Sequence, residues 1–222
     1  MPLNPSKGNM YEFITHTWNT IKGECYHDCS YCYMKRWGKL NPVRFDQKEL
    51  KTDLGSDNFI FVGSSCDMFN EKIDGDWIQK TLDHCCLFEN SYLFQTKNPE
   101  RFLEHPFHPG KSVMCTTLES NRYIPNIMMY APKPEYRMLG IMKVIEYFNL
   151  DIYITIEPIM DFDVDEFLNM VKLCDPIQVN IGADSGRHNL PEPSKEKLLK
   201  LIEGLQEFTI IHRKSNLQRL LK

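Results

Sequence analysis

Three cysteines lie within eight residues near the start of the sequence, at Cys25, Cys29 and Cys32. The spacing puts three thiolates on one short loop, and cysteine thiolates are the usual ligands of iron–sulfur clusters. Three protein ligands leave the fourth iron of a cubane cluster without a side chain. The loop therefore predicts a [4Fe-4S] cluster with one iron open to a further ligand, and the fold has to present that iron to a cavity.

Zinc is the main alternative for this loop, with His27 or His16 as a fourth ligand. Zinc loops usually pair two cysteines and bring a second pair from far away, but no second pair with such spacing follows in this sequence. A disulfide framework is disfavoured, because the eight cysteines are scattered through 222 residues and no apolar secretory leader begins the sequence. The cluster is the favoured interpretation, and zinc stays open.

The composition indicates one globular domain, residues 1–222. Hydrophobic residues make up 42% of the chain and charged residues 25%, which are ordinary values for such a domain, and the length allows a sizeable core. No apolar stretch approaches the length needed to cross a bilayer. We therefore expect no membrane partner and a cytoplasmic, reducing location, which suits an oxygen-sensitive cluster.

Positive charge is concentrated in two segments, although the net charge is −4 and argues against a chain that coats nucleic acid non-specifically. One segment follows the cysteine loop and the other lies near residue 213. Arg36, His212 and Lys214 are the candidate contacts there for an anionic substrate, and Trp37 could stack on a base. The alternative is that these residues are ordinary solvated surface.

Short β-rich runs alternate with longer amphipathic stretches, a pattern typical of repeated βα units around a parallel sheet. A closed eight-stranded barrel needs about 250 residues, so we predict an α/β fold, a partial (β/α)6–7 barrel of the TIM type. The predicted strands are 13–18, 58–62, 91–95, 112–117, 151–156, 177–181 and 208–212. The predicted helices are 76–89, 134–148, 164–173, 195–206 and a tail from residue 216, with N-caps at Asp163 and Ser194.

Polar residues follow the predicted strands. Parallel α/β folds place their active sites at the carboxyl ends of the strands, and carboxylates stand there at Glu119, Glu157 and Asp184. One such carboxylate could be a helix cap. Three of them, together with Lys97 and the serines at 64 and 65, indicate the lining of a polar cofactor site.

The Cys-x3-Cys-x2-Cys spacing, with Tyr31 before the last cysteine, resembles the signature loop of the radical SAM superfamily. The loop is also similar to that of the spore photoproduct lyase group. The motifs at 94–101, 156–159 and 182–186, with 17–19 upstream, resemble an uncharacterised, often phage-encoded branch of radical SAM proteins over nearly the whole chain.

The resemblance implies a reaction and its participants. S-adenosylmethionine (SAM) would bind the open iron, and a reduced cluster would split it to a 5'-deoxyadenosyl radical that takes a hydrogen atom from a substrate. The implied partner is an external one-electron reductant such as flavodoxin or ferredoxin. A nucleotide or nucleic acid component is the preferred substrate, while a peptide or a small metabolite stays open. The competing class is a non-catalytic zinc or iron–sulfur binding module.

The resemblance also implies residue roles by position. The stretch after the second strand would bind the SAM amino group, and this chain has Gly63-Ser64-Ser65 where the superfamily has a Gly-Gly-Glu-like stretch. The fourth and fifth strands would contact the ribose, and the backbone of the sixth would pack against adenine. The implied cofactor-binding residues are Tyr31, Ser64, Ser65, Glu119, Glu157, Ile181, Gly182 and Ala183. The strand-end residues Asp67, Lys97, Thr117 and Asp184 complete the set of candidate cofactor-binding residues.

Two further residues have alternative interpretations. Cys66 follows the second predicted strand and is a candidate hydrogen donor to a substrate radical, although a free cysteine is most often a small buried apolar residue. His27 lies inside the cysteine loop, and we expect it to shape the loop by hydrogen bonding rather than to ligate iron, because the three cysteines already suffice.

Overall fold

The computed structural model describes residues 3–6, 11–105 and 111–222. The strands are β1 (Asn4–Pro5), β2 (His16–Trp18), β3 (Ile21–Lys22), β4 (Arg44–Phe45), β5 (Phe59–Val62), β6 (Ser91–Thr96), β7 (Lys111–Thr117), β8 (Asp151–Ile156), β9 (Gln178–Ile181) and β10 (Ile210–Arg213). The α-helices are α1 (Gly75–Cys85), α2 (Pro125–Met128), α3 (Pro134–Tyr147), α4 (Val164–Leu173) and α5 (Lys195–Gln206), and 3-10 helices span Tyr33–Trp37, Gln47–Lys51, Pro99–Glu104 and Ser215–Leu220.

Eight strands form one sheet in the order β1-β2-β5-β6-β7-β8-β9-β10, and β3 pairs with β4 in a separate ribbon. β1 is antiparallel to β2, whereas every neighbouring pair from β2 to β10 is parallel. Helices lie between successive strands, with α1 before β6, α3 before β8, α4 before β9 and α5 before β10. The predicted α/β fold with a parallel sheet is confirmed.

The larger apolar core lies between one face of the sheet and the helices. Helix α5 shows why: Leu198, Leu201, Ile202 and Leu205 recur at the three-to-four-residue spacing of one helical face, and all are buried. The helix begins after Ser194, whose hydroxyl accepts a hydrogen bond from the Lys197 N–H, as predicted for an N-cap. Within the described ranges, every helix is too short or too polar to cross a lipid bilayer.

The opposite face of the sheet is covered by aromatic rings that precede β2. The Phe13 ring lies 5.3 Å from that of Phe59 in β5, 5.5 Å from Tyr153 in β8 and 6.1 Å from His212 in β10, centroid to centroid. In a flat sheet β5 and β10 would be about 24 Å apart, because neighbouring strands are spaced by about 4.8 Å. One ring reaches both strands because the sheet curls around it.

The structure differs from the sequence prediction at several element ends. β2 begins at His16 rather than at residue 13, since Phe13 is turned onto the curled face. The predicted tail helix is wrong: residues 215–220 form a 3-10 helix, in which Asn216 and Arg219 hydrogen-bond to strand-end residues. Asp163 precedes α4 without capping it, because its carboxylate accepts hydrogen bonds from Arg122 and Asn121 instead.

Candidate functional site

The cysteine loop runs from β3 to the 3-10 helix Tyr33–Trp37. Its entry depends on Gly23, which has φ +113° and where an added Cβ would lie 2.5 Å from the Pro42 carbonyl oxygen. Backbone hydrogen bonds between residues three positions apart then fold the loop, from Asp28 N–H to Cys25 O at 3.0 Å and from Cys32 N–H to Cys29 O at 3.1 Å. Glycine and these turns shape the loop so that all three cysteines line one cavity.

All three cysteines line one cavity of about 130 Å³, here called the inner cavity. The carboxyl ends of β5, β6 and β7 supply the facing wall, so the loop and the strand ends meet as the topology predicts. Several of the implied cofactor-binding residues are brought together there. The lining residues are Cys25, His27, Cys29, Tyr31, Cys32, Phe61, Gly63, Asp67, Gln95, Thr96, Lys97 and Thr117.

The donor set suits an iron–sulfur cluster. In the described part of the chain, no group of three or more His, Cys, Asp or Glu side chains is close enough together to hold a single metal ion. Three cysteines line the inner cavity, and a cubane would bind each of their thiolates at a separate iron. The neighbouring Cys66 thiol lowers the pKa of Cys25, and a metal-binding cysteine has to be a thiolate. Burial raises the pKa values of Cys29 and Cys32, which a bound metal would have to offset.

His27 is held by hydrogen bonds at both ring nitrogens. Its Nε2 lies 2.9 Å from Asp67 Oδ2, and Asn70 Nδ2 lies 3.1 Å from its Nδ1. Asp67 also accepts a hydrogen bond from the Lys97 backbone N–H at 2.8 Å. Burial alone would raise the pKa of Asp67, but His27 holds it below the ordinary value. Asp67 thus joins the cysteine loop to the end of β6.

Glu119 forms a buried ion-pair cluster with two cations. Its Oε2 lies 2.6 Å from Arg137 Nη1 and its Oε1 3.1 Å from Lys97 Nζ, and both the Glu119 and Arg137 side chains are 0% exposed. The Tyr31 hydroxyl of the cysteine loop donates to the same carboxylate. Burial alone would raise the pKa of Glu119, but Arg137 and Lys97 hold it down at about 2. Contact with a ribose would require Glu119 to exchange one of these partners.

Arg137 was missed by reasoning from the sequence. It lies on α3, on the same buried face as Gly140, Ile141 and Val144, and donates to the carbonyls of Pro132 at 2.6 Å and Thr117 at 2.9 Å. The available signal was a charged residue in register with an apolar helix face, because a buried arginine has to find a partner.

Glu157 is held by the segment after β10. Lys214 Nζ lies 2.6 Å from Glu157 Oε2, and Asn216 Nδ2 lies 3.2 Å from Glu157 Oε1. The Lys214 ammonium also lies 4.8 Å from the centroid of the Tyr11 ring. Lys214, a predicted substrate contact, therefore neutralises Glu157, while His212 packs on Phe13.

The backbone predicted to face adenine is largely paired within the chain. Gly182 N–H donates to Ile156 O at 3.0 Å, and Gly182 O accepts from Ile159 N–H at 2.8 Å. Asn216 bridges the N–H and C=O of Ala183 at 3.3 and 2.8 Å, and Ile181 lies in β9. Any contact of this segment with adenine would therefore be mainly by packing rather than by new hydrogen bonds.

Gly182→Ala is expected to destabilise the protein, because the added Cβ would lie 2.7 Å from the Glu157 carboxyl, which Lys214 and Asn216 hold in place. Overpacking of this kind costs about 1–3 kcal/mol, measurable by urea denaturation. Gly75→Ala is the matched control, since its Cβ would make only ordinary contacts at 3.6 Å or more. Equal stability of both variants would contradict the tight Gly182–Glu157 packing.

The remaining predicted site residues lie beside the inner cavity or apart from it. Ser64 and Ser65 are tied to Asn19, which accepts from the Ser65 N–H at 2.8 Å. The Asp184 carboxylate folds its own loop by accepting from Gly186 N–H and His188 Nδ1, at 2.9 and 2.7 Å. It lines a different groove, about 900 Å³ in volume, with Arg187 and Arg219.

Cys66 and Arg36 are two further predicted site residues, and the structure places both outside the inner cavity. The Cys66 thiol is buried and points to the Glu24 carbonyl at 3.6 Å, in contact with Cys25. Arg36 is exposed, with its guanidinium 5.1 Å from the centroid of the Trp37 ring. Neither residue lines the inner cavity.

No protein-family model and no curated protein matches the sequence. Among solved structures, the fold is similar to that of a spore photoproduct lyase variant with bound AdoMet and dinucleoside spore photoproduct, with a TM-score of 0.67 at 10% identity over 92% of this chain and 78% of that chain. A spore photoproduct lyase complexed with dinucleoside spore photoproduct gives a TM-score of 0.64 at 12% identity, over 93% of this chain and 79% of that chain. At these identities the likeness is one of fold.

Proposed function

We propose that this chain is a radical SAM enzyme with one [4Fe-4S] cluster. The observation that carries the proposal is the inner cavity. Cys25, Cys29 and Cys32 line it together with Lys97 and Thr117, which lie at the ends of β6 and β7. The similarity in fold to a lyase structure that holds AdoMet supports it. The curled sheet supports the corresponding partial barrel. The relation to a phage-encoded branch rests on the sequence motifs alone.

Three cysteines hold the cluster, and SAM binds beside it against the strand ends. Lys97 is the cation available to the SAM carboxylate. Burial alone would lower the pKa of Lys97, but Glu119 raises it by more, so the ammonium stays charged. Asp67 fixes His27 and the Lys97 backbone, and Thr117 adds a hydroxyl to the wall. A reduced cluster held there would supply the electron for cleavage of SAM to methionine and a 5'-deoxyadenosyl radical, and that radical would abstract hydrogen from the substrate.

The substrate we favour is a nucleotide or nucleic acid component. Two observations support it: the similar structures are complexes with a dinucleoside photoproduct, and basic and aromatic side chains flank the cysteine loop. A peptide or a small metabolite is the alternative. Cys66 remains a candidate hydrogen donor, although its thiol points to the Glu24 carbonyl rather than into the inner cavity.

The test is anaerobic reconstitution with iron and sulfide, followed by reduction with dithionite, addition of SAM and quantification of 5'-deoxyadenosine. Formation that depends on both reductant and cluster supports the proposal. SAM binding is measured in parallel, because cleavage can require substrate. A colourless protein with stoichiometric zinc would instead identify a zinc module, and a brown protein that neither binds nor cleaves SAM would identify a cluster-binding module.

A further inference from the structure

A second, larger cavity opens on the cysteine loop, here called the outer groove. It has a volume of about 610 Å³ and shares two lining residues with the inner cavity, Cys25 and Cys32. Its other walls come from the loop itself, from residues 34, 35 and 38–40, and from Lys72 and Tyr130, with no residue of the strand ends β5 to β7. The outer groove therefore borders two of the three cysteines, and neither Lys97 nor Thr117 lines it.

The outer groove carries positive charge on a chain whose net charge is −4. Lys35, Lys39 and Lys72 line it, against Glu24 and Asp28. Asp28 is paired with Lys35 at 2.7 Å. Within the described residues, no ion pair forms at Lys39 or Lys72, and both side chains belong to exposed residues. The local field therefore favours an approaching acidic surface.

Exposed aromatic rings accompany these cations. Tyr130 and Tyr26 line the groove and are 72% and 38% exposed. Lys72 Nζ lies 5.6 Å from the centroid of the Tyr26 ring. Aromatic side chains are enriched in protein–protein interfaces, and large exposed apolar groups commonly mark interaction sites.

The position of the outer groove decides what kind of partner it fits. A substrate has to meet the radical where SAM binds, beside Lys97 and Thr117, and neither of these residues lines the outer groove. An occupant of the outer groove lies against Cys25 and Cys32 instead. It is therefore placed next to the cluster rather than next to Lys97 and Thr117. Electron donation is the reaction step that needs such access.

We infer that the outer groove is the docking surface of an acidic one-electron carrier protein. The inference rests on the proposed function and assigns its reductant a place on this chain. The reduced carrier gives up one electron and leaves oxidised, and the cluster held by Cys25, Cys29 and Cys32 gains that electron. Electron-transfer encounters use small interfaces, below about 1,200 Å², so Lys39, Lys72 and the neighbouring rings can make up a large part of the contact.

The test measures cluster reduction by a purified acidic flavodoxin in stopped-flow experiments at low salt. Lys39→Glu/Lys72→Glu is expected to slow reduction about tenfold or more, because steering contributes between about 10-fold and 10³-fold to association rates, and to weaken flavodoxin binding in calorimetry. The matched control is Lys195→Glu/Lys200→Glu on α5, which has the same charge change on a different surface. Iron content and dithionite-driven SAM cleavage should be the same in all three proteins.

Three outcomes would overturn the assignment: a Lys39/Lys72 variant that flavodoxin reduces as fast as the wild type, an equal loss in the α5 control, or a wild type that dithionite reduces and flavodoxin does not. Protection of the outer groove by an oligonucleotide that leaves flavodoxin reduction unchanged would assign it to nucleic acid and also contradict the inference. Failure of the proposed function looks different, since dithionite would then yield no cluster-dependent SAM cleavage in any of the proteins.

Discussion

Cys29→Ala is expected to lose its bound iron and to produce no detectable 5'-deoxyadenosine. The remaining two cysteines cannot hold three corners of a cubane, and the cluster supplies the electron for SAM cleavage. Iron and sulfide analysis, visible absorption and chromatography of the products measure both effects. The same loss is expected for Cys25→Ala and Cys32→Ala, because all three thiols line the inner cavity.

Cys86→Ala is the matched control for these variants. Cys86 is an exposed cysteine at the end of α1, outside the cysteine loop, so iron content and SAM cleavage should stay at the wild-type level. Cys29 packs in a small cluster with Met128 and Met160, and its removal should cost the apo-protein only about 1 kcal/mol. Full iron binding by Cys29→Ala would contradict the assignment of this residue as a ligand.

Arg137→Met is expected to lower the free energy of unfolding by about 3–5 kcal/mol, because it leaves the buried Glu119 carboxylate with one cation fewer and removes hydrogen bonds to two carbonyls. Urea denaturation of the apo-protein measures this loss without any contribution from a cluster. The same variant should also weaken SAM binding, since Glu119 positions Lys97 and the Tyr31 hydroxyl.

Lys143→Met on the same helix is the control for Arg137→Met. Lys143 pairs with Glu100 at the surface, where both side chains are more than half exposed, and surface ion pairs contribute at most about 1 kcal/mol. The double variant Arg137→Met/Glu119→Gln should recover part of the lost stability, because no unpaired buried charge remains. A loss below about 1 kcal/mol in Arg137→Met, or no recovery in the double variant, would contradict the role of this ion pair.

The sequence predicted the elements that are decided locally. The predicted stretches rest on apolar runs with a helical or strand period, and β6, β7, β8, α3, α4 and α5 appear close to their predicted bounds. The two-residue strands β1, β3 and β4 carry too few residues to show any period. The tail was misjudged because Leu217 packs into the core while Asn216 and Arg219 bind distant residues, and such contacts override local preference.

In the candidate site, too, the sequence predicted the features that depend on local spacing and missed those that depend on distant partners. The cysteine spacing and the strand-end positions of Lys97 and Thr117 could be derived from the sequence, and the structure places them on one cavity. The partner of each carboxylate could not be derived from the sequence, because the two members of each pair are far apart along the chain. Glu119 pairs with Arg137 of α3, and Glu157 pairs with Lys214. Asp184 shares the strand-end position, but neighbouring N–H groups turn its carboxylate into the loop.

The contact between Phe13 and His212 sets an order of events during synthesis and folding. The ring of Phe13 leaves the ribosome well before its partner His212 on β10, because the two residues lie far apart in the sequence. Until β10 is made, the Phe13 ring lacks this contact and β9 lacks one parallel partner. Contacts between residues so distant in sequence form slowly. A nascent or truncated chain lacking β10 would present β9 as an open edge strand and be prone to aggregate.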